Sequence, residues 1–241
     1  MKDKTVISQW VMRQERYFSD EYGEVARFIS KTDRVKKILE FIDTGKTVID
    51  LGCNDGTISN LIRLRGNDVT GVDFPKVIEE AKKKYPNINY ISFDLSKDFP
   101  IESGSFDMVV ANFVIEHIID DVKFLKECNR ILKPGGDIII STQNIAFIRD
   151  RIWLLLGKFI SNTSDSYNHI HQYTFDAMKR KILEAGFKNI QLKGAVYDLG
   201  YGFFKDIFKH FKYCYQNPFW FILEKILPRN FRAFIIAKAT K

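Results

Sequence analysis

The chain has 241 residues, 45% of them hydrophobic, which suffices for one core of ordinary size, and its formal net charge is +7. Its three cysteines, Cys53, Cys128 and Cys214, are too few and too scattered for a disulfide framework or a cysteine zinc site, so no metal is expected and a reducing compartment fits. The first ten residues lack the apolar core of a secretion signal and no apolar run approaches a membrane span, so the expectation is a cytoplasmic protein.

Residues 8–30 mix aromatic and charged side chains, among them Trp10, Arg13, Arg16, Tyr17, Phe18 and Tyr22. A helix is predicted from Thr32 to Phe41, stopped by Asp43-Thr44-Gly45. Val48 to Leu51 then has the length and β-branched content of a buried strand, and it runs into Asp50, Gly52 and Gly56. An amphipathic helix follows near Thr57, with Ile58, Leu61, Ile62 and Leu64 expected on its inner side. Further strands are predicted at Asp68–Asp73, at Ile88–Phe93 before Asp94-Leu95, and at Phe106–Asn112 before Phe113-Val-Ile-Glu-His117. Leu132-Lys-Pro-Gly-Gly136 turns into another strand, Asp137–Thr142.

This alternation of strand and helix predicts an α/β fold, a parallel sheet with helices on both faces. Ligands of such sheets lie outside the carboxyl ends of the strands, where Asp50, Asp73, Asp94 and Asn112 all fall. Asp and Asn are also common in turns after strands, so the weight rests on the recurrence and not on any one of them.

Beyond the core, Phe147–Ile160 is helical in character and apolar nearly all round in its second half. A substrate-covering insertion with Trp153 and Leu156 as pocket walls is expected there, with dimer packing as the rival account. Tyr167–Thr174 brings His169 and His171, and a helix at Phe175–Ala185 and strands at Ile190–Val196 and Ala233–Ala239 complete the pattern. Residues 200–241 hold eight basic side chains against two acids, a net +6 of the chain's +7. Within them Phe204, Ile207, Phe208, Phe211 and Tyr215 share one helical side and Lys205, Lys209 and Lys212 another. That pattern suits an interfacial helix in peripheral contact with a membrane, while packing on the sheet or in a homodimer explains the same face.

A dinucleotide fingerprint, G-x-G-x-x-G, fails here, because Asn54 and Thr57 stand at its second and third glycines. The segment Asp50-Leu-Gly-Cys-Asn-Asp-Gly56 instead resembles the first motif of the class I S-adenosylmethionine-dependent methyltransferases, written D/E-x-G-x-G-x-G. That donor carries a sulfonium and an α-amino group and no phosphate, so an acid at the strand end attracts it. Asn54, in place of the middle glycine, is a residue type that tolerates left-handed backbone. Asp73 lies 21 residues beyond Gly52, close to the roughly 20 that separate such a turn from a ribose-binding acid.

The resemblance is firm over residues 45–142 and looser over 169–195. It implies a Rossmann-like sheet of seven strands, mostly parallel with the last strand antiparallel, and helices on both faces. It places cofactor contacts at Asp50, Gly52, Cys53, Asn54 and Gly56, at Asp73 and Phe74 for the ribose, at Asp94 and Leu95 for the adenine, and at Asn112 and Phe113 for the methionine end. One domain spans 1–241 on this reading. Residues 1–44 form a helical lid in which Tyr17 and Tyr22 are candidate ligand contacts, or else simply pack on the core. Residues 45–142 are the cofactor core, 143–172 an insertion or cap, and 173–241 the rest of the sheet, carrying the basic aromatic insertion 200–230.

The run His169-Ile-His-Gln-Tyr-Thr174 resembles the segment after the insertion in methyltransferases of small molecules, sugars and lipids. The implied activity is transfer of a methyl group from S-adenosylmethionine to a small-molecule, glycan or lipid acceptor, on oxygen, by in-line displacement. His117, His169 and His171 are the candidates for removing the hydroxyl proton, against a purely orienting role. Nucleic acid is disfavoured, since Ala111-Asn-Phe-Val114 stands where base-amine methylation uses N/D-P-P-Y/F/W. Cytosine C5 chemistry needs a nucleophilic cysteine, and Cys53 and Cys128 are ill placed for one. The alternatives are a protein or RNA acceptor, or a subunit that binds S-adenosylmethionine without turnover.

Overall fold

The apolar runs assemble into one seven-stranded sheet in the computed structural model, which describes residues 32–158, 169–196, 222–223 and 225–241. The strands are β1 (Thr47–Leu51), β2 (Asp68–Val72), β3 (Asn89–Ile91), β4 (Phe106–Asn112), β5 (Leu132–Gln143), β6 (Lys188–Ala195) and β7 (Phe234–Thr240). Their order is β3-β2-β1-β4-β5-β7-β6. All pairings from β3 to β5 are parallel, and β7 runs antiparallel to both β5 and β6. The helices are α1 (Asp33–Leu39), α2 (Thr57–Arg63), α3 (Pro75–Lys84), α4 (Asp121–Ile131), α5 (Ile148–Leu155) and α6 (Phe175–Glu184). The expected seven-stranded α/β architecture is therefore present, with its last strand antiparallel.

The pleat divides each apolar run between two cores. Ile49, Leu51, Val109, Ala111, Ile138, Ile140, Ile235 and Ala237 point to one face and meet Phe124 and Leu125 of α4 and Met178 and Ile182 of α6. Val48, Met108, Val110, Ile139, Phe234 and Ile236 point to the other and meet Val35 and Ile38 of α1 and Ile58 and Ile62 of α2. Three helices begin on side-chain caps: Thr32 accepts from the Val35 amide, Asp120 from Lys123 and Thr174 from Ala177. With both faces covered, ligand access is left to the strand ends, and the sheet order reverses direction between β1 and β4.

Several boundaries differ from the sequence expectation. β3 ends at Ile91, short of Phe93, and β5 begins at Leu132, absorbing the Leu132–Gly136 stretch beside an irregular register at Phe106–Met108. Leu64 does not face inward: α2 has ended at Arg63, and Leu64 is 66% exposed. Leu156 does not face inward either. α5 buries its polar residues Arg149 and Asp150, Gly157 turns the chain with φ +65°, and Leu156 stands 63% exposed with Leu154 and Leu155 also outward. Trp153 is partly buried under the Arg149 guanidinium, 5.1 Å from its ring centroid. Residues 1–31 of the expected lid 1–44, with Tyr17 and Tyr22, and most of the basic aromatic stretch 200–230 lie outside the described residues. Among the described residues, no helix is long and apolar enough to cross a membrane.

Ile62 in α2 and Leu64 just past its end predict opposite mutational outcomes. Ile62→Ala, at a fully buried position, is expected to destabilise by about 2–5 kcal/mol. Leu64→Ala should change stability by no more than about 0.5 kcal/mol. Urea unfolding of the two variants measures both.

Candidate active site at the strand tips

β1 leaves the sheet through a turn with three left-handed positions, Gly52 (φ +72°), Asn54 (φ +50°) and Gly56 (φ +77°). Asn54 thus adopts the conformation that its replacement of a glycine requires. At Gly52 a side chain is also excluded by space: a Cβ there would stand 2.5 Å from Val114, just after β4. The exits of β1 and β4 are therefore held in contact. Asp55 secures the start of α2 by accepting from the Thr57 amide (3.0 Å) and hydroxyl (2.9 Å) while pairing with Lys84 at 2.5 Å.

Asp50 is buried at the root of this turn, and its Oδ2 accepts one hydrogen bond, 2.6 Å, from Ser59 on α2. Burial pushes its carboxyl up to about 7; the Ser59 hydroxyl opposes the shift and the negative Asp73 and Asp55 add to it. Asp73, at the tip of β2, accepts from the amides of Asn54 (2.9 Å) and Phe74 (2.8 Å), and partial burial still raises its pKa against those bonds. Asp73 thereby ties the glycine turn to the end of β2 while keeping lone pairs for a ligand. Phe74 is exposed beside it at the start of α3. Cys53 is buried between the turn and Gly71, and burial raises its thiol pKa, so it is no nucleophile.

At the end of β3, Asp94 Oδ1 accepts from the Ser96 amide (2.9 Å) and hydroxyl (2.7 Å). Burial opposes its ionisation, but these bonds and the Lys97 charge outweigh it and hold the carboxyl below its usual range. Leu95 packs on the adjoining core. At the end of β4, Asn112 is already engaged, with Oδ1 accepting from Ser141 (2.7 Å) and from Arg34 of α1. Phe113 lies at φ +58°, a strained conformation for a bulky residue, with the Arg34 guanidinium 4.1 Å from its ring centroid and Phe234 against its edge.

The three histidines assigned to the site come together through backbone bonds. The amides of Ile170 (2.8 Å) and His171 (3.2 Å) donate to the Glu116 carbonyl, docking 169–171 on the turn after β4. His117 and His169 face each other with ring centroids 4.8 Å apart. Burial lowers the His169 pKa to about 4, and the neighbouring His117 adds to that. His171 Nε2 is 3.0 Å from the Ile119 carbonyl, so this ring anchors its segment. Residues that the sequence reading passed over complete the region. Glu116 is 2% exposed, with its pKa raised to about 7 by burial, partly offset by its own amide, the Thr142 hydroxyl and the Arg34 charge. Asp150, buried against Arg149 at 3.0 Å, is raised by burial to about 6 despite that partner. Glu116, Thr142, Gln143, Asp150, His169 and His171 help to line a cleft beyond the ends of β4 and β5. The signal for Glu116 was a charged pair, Glu116-His117, inside an otherwise apolar run.

Comparison with known proteins gives a consistent result. A family model described as a methyltransferase domain matches residues 20–192. A protein of Mycobacterium tuberculosis named a probable S-adenosylmethionine-dependent methyltransferase is 28% identical over 63% of this chain and 52% of its own length, so the chain spans about half of that relative. A demethylmenaquinone methyltransferase of Staphylococcus aureus is 27% identical, covering 83% of this chain and 96% of its own. Among solved structures, a Thermotoga maritima protein titled an S-adenosylmethionine-dependent methyltransferase, possible histamine N-methyltransferase, superposes with a TM-score of 0.64 at 18% identity over 97% of each chain. At that identity the superposition speaks for the fold.

Asp50 generates a pH dependence whose sign follows from its shift. Between the ordinary carboxylate value of 3.8 and about 7 the folded carboxyl keeps a proton that the unfolded chain releases. Its contribution to stability is complete below the lower value and lost as pH rises through the upper one. Urea midpoints measured from pH 4.5 to pH 8 should therefore fall less in Asp50→Asn than in the wild type.

Proposed function

Because the chain belongs to the class I S-adenosylmethionine-dependent methyltransferases, we propose that it moves the methyl group of that donor to an oxygen of a small hydroxylated acceptor. The observation that carries the reading is the pair of carboxyls, Asp50 and Asp73, gathered around a left-handed turn at the point where the sheet reverses direction. A buried acid raised to about 7 is stabilised by an incoming cation, and the donor brings two positive groups and no phosphate. In this assignment Asp50 and the turn residues Gly52, Cys53, Asn54 and Gly56 hold the methionine end. Asp73 and Phe74 hold the ribose, and Asp94 and Leu95 border the adenine. Asn112 and Phe113 support the site from behind, through Ser141, Arg34 and Phe234, instead of touching the donor directly.

The sulfonium is an activated leaving group, so rate comes chiefly from placing the acceptor oxygen in line and keeping water out. As the oxygen–carbon bond forms, the sulfur–carbon bond breaks and its electron pair returns to sulfur. The hydroxyl proton leaves through the cleft beside His117 and His169, the two histidines whose rings adjoin there. His171 holds this wall in place through Ile119. The cleft beyond β4 and β5 has polar walls from Thr142, Gln143 and Gln172, which suits an acceptor bearing hydroxyls. The demethylmenaquinone methyltransferase relative supports an acceptor of small-molecule size.

Isothermal calorimetry with S-adenosylhomocysteine tests the donor assignment. Asp73→Ala should weaken binding about 10- to 100-fold, the equivalent of about 1.5–3 kcal/mol for hydrogen bonds to a charged group. Wild-type affinity should rise as pH increases through about 7, where Asp50 ionises. Release of S-adenosylhomocysteine with a panel of small phenols, quinols and sugars, and none with protein or RNA, is the expected acceptor profile.

A further inference from the structure

Immediately after β4 the chain makes a single 3-10 turn, Ile115–His117, that points Glu116 into the protein. Glu116 is 2% exposed, and neither carboxylate oxygen meets a donor in full hydrogen-bond geometry, its own amide and the Thr142 hydroxyl offsetting only part of the cost of burial. A buried carboxylate so weakly solvated is stabilised by a positive partner. The Arg34 charge influences it, but the Arg34 guanidinium donates to Asn112 and lies over the Phe113 ring. Two imidazoles stand beside the acid instead. A carboxylate oxygen of Glu116 and one ring nitrogen each of His117 and His169 all lie within 4.8 Å of one another.

We propose that Glu116, His117 and His169 form a binding site for one divalent first-row cation, Zn2+ or Mn2+, at the inner wall of the acceptor cleft. Bonds of about 2.0–2.2 Å put neighbouring ligands about 3–3.5 Å apart, so a modest closing of the trio around the ion completes the geometry. Two imidazole nitrogens with one carboxylate oxygen favour a transition-series cation, borderline Zn2+ above the harder Mn2+, over Ca2+ or Mg2+, which take oxygen sets. The ligands come from segments 52 residues apart, and their register is set by the two amides that donate to the Glu116 carbonyl, at 2.8 Å and 3.2 Å. A three-ligand set also leaves coordination positions open toward the cleft lined by Thr142, Gln143 and Asp150.

The role of the ion rests on the methyl-transfer reading above. A hydroxyl of the acceptor lying against the cation loses its proton to water more readily and is held in one orientation for attack on the methyl carbon. The ion changes no oxidation state, and the products are the methylated oxygen, the demethylated donor and one proton.

The test uses the full chain stripped with a chelator and then titrated separately with Zn2+, Mn2+ and Mg2+ by calorimetry, alongside thermal melts. One Zn2+ or Mn2+ per chain, bound at least tenfold more tightly than Mg2+ and raising the melting temperature, is expected. Glu116→Gln, which preserves shape, and His169→Ala should each weaken that binding at least tenfold while S-adenosylhomocysteine affinity stays within about threefold, which also confirms folding. No saturable binding by the wild type, or binding unchanged in both variants, overturns the site. Methyl transfer by a protein that binds no cation would overturn this site alone and leave the proposed function standing. Cation binding lost in both variants, in a protein that does not bind the donor's product, would uphold the site and overturn the function.

Discussion

One carboxyl group without adequate solvation organises the active end of the molecule. Asp50 is carried to the end of β1 by an apolar strand whose neighbours on both faces are covered by helices, so water cannot reach it. A single bond from Ser59 answers only part of the desolvation, and the nearby Asp73 and Asp55 make matters worse. Such a group is tolerated because the fold's stability resides elsewhere, in two cores built on opposite faces of the sheet. In the proposed assignment the same burial makes the site selective, since a cationic donor relieves the strain and a phosphate would add to it.

The second constraint lies at the exit of β4. Asn112 is fastened to Ser141 on β5 and to Arg34 on α1, and Phe113 is turned into the left-handed region under the same arginine. A conformation of that kind costs of order 1–3 kcal/mol and persists only where its surroundings over-determine it. Here the surroundings are the arginine, Phe234 on β7 and the close approach of Val114 to Gly52. The result is a sharp change of direction that sends Ile115 into the core and Glu116 toward the cleft.

Local chemistry explains which features could be read from the chain. The strands of the core, the glycine turn and the polar residues at successive strand tips announce themselves within about a dozen residues, because buried strands and left-handed turns restrict residue type. Asn54 was legible for that reason, and the structure gives it φ +50°. Leu64 was misjudged because a helical wheel does not know where the helix stops, and α2 stops one residue earlier. Leu156 points outward for a different reason. The residues that α5 buries are Arg149 and Asp150, an ion pair at 3.0 Å whose guanidinium lies over the Phe147 and Trp153 rings, so the apolar run Leu154–Leu156 is left on the outer side. Asn112 sits at the predicted strand tip, yet its side chain turns to Ser141 and Arg34, partners 29 and 78 residues away that no local pattern reveals.

Glu116 shows the limit of that kind of reading most clearly, and it also separates two electrostatic problems. The acids that raise the Asp50 pKa are Asp73 and Asp55, whereas Glu116 is shifted by its own burial and sees Arg34 and Thr142. The two buried carboxyls therefore lie in distinct wells, one facing the glycine turn and one facing the histidine cleft. What joins the two is the contact between Gly52 and Val114, which fixes the exit of β1, where Asp50 lies, against the exit of β4, from which the chain turns to Glu116.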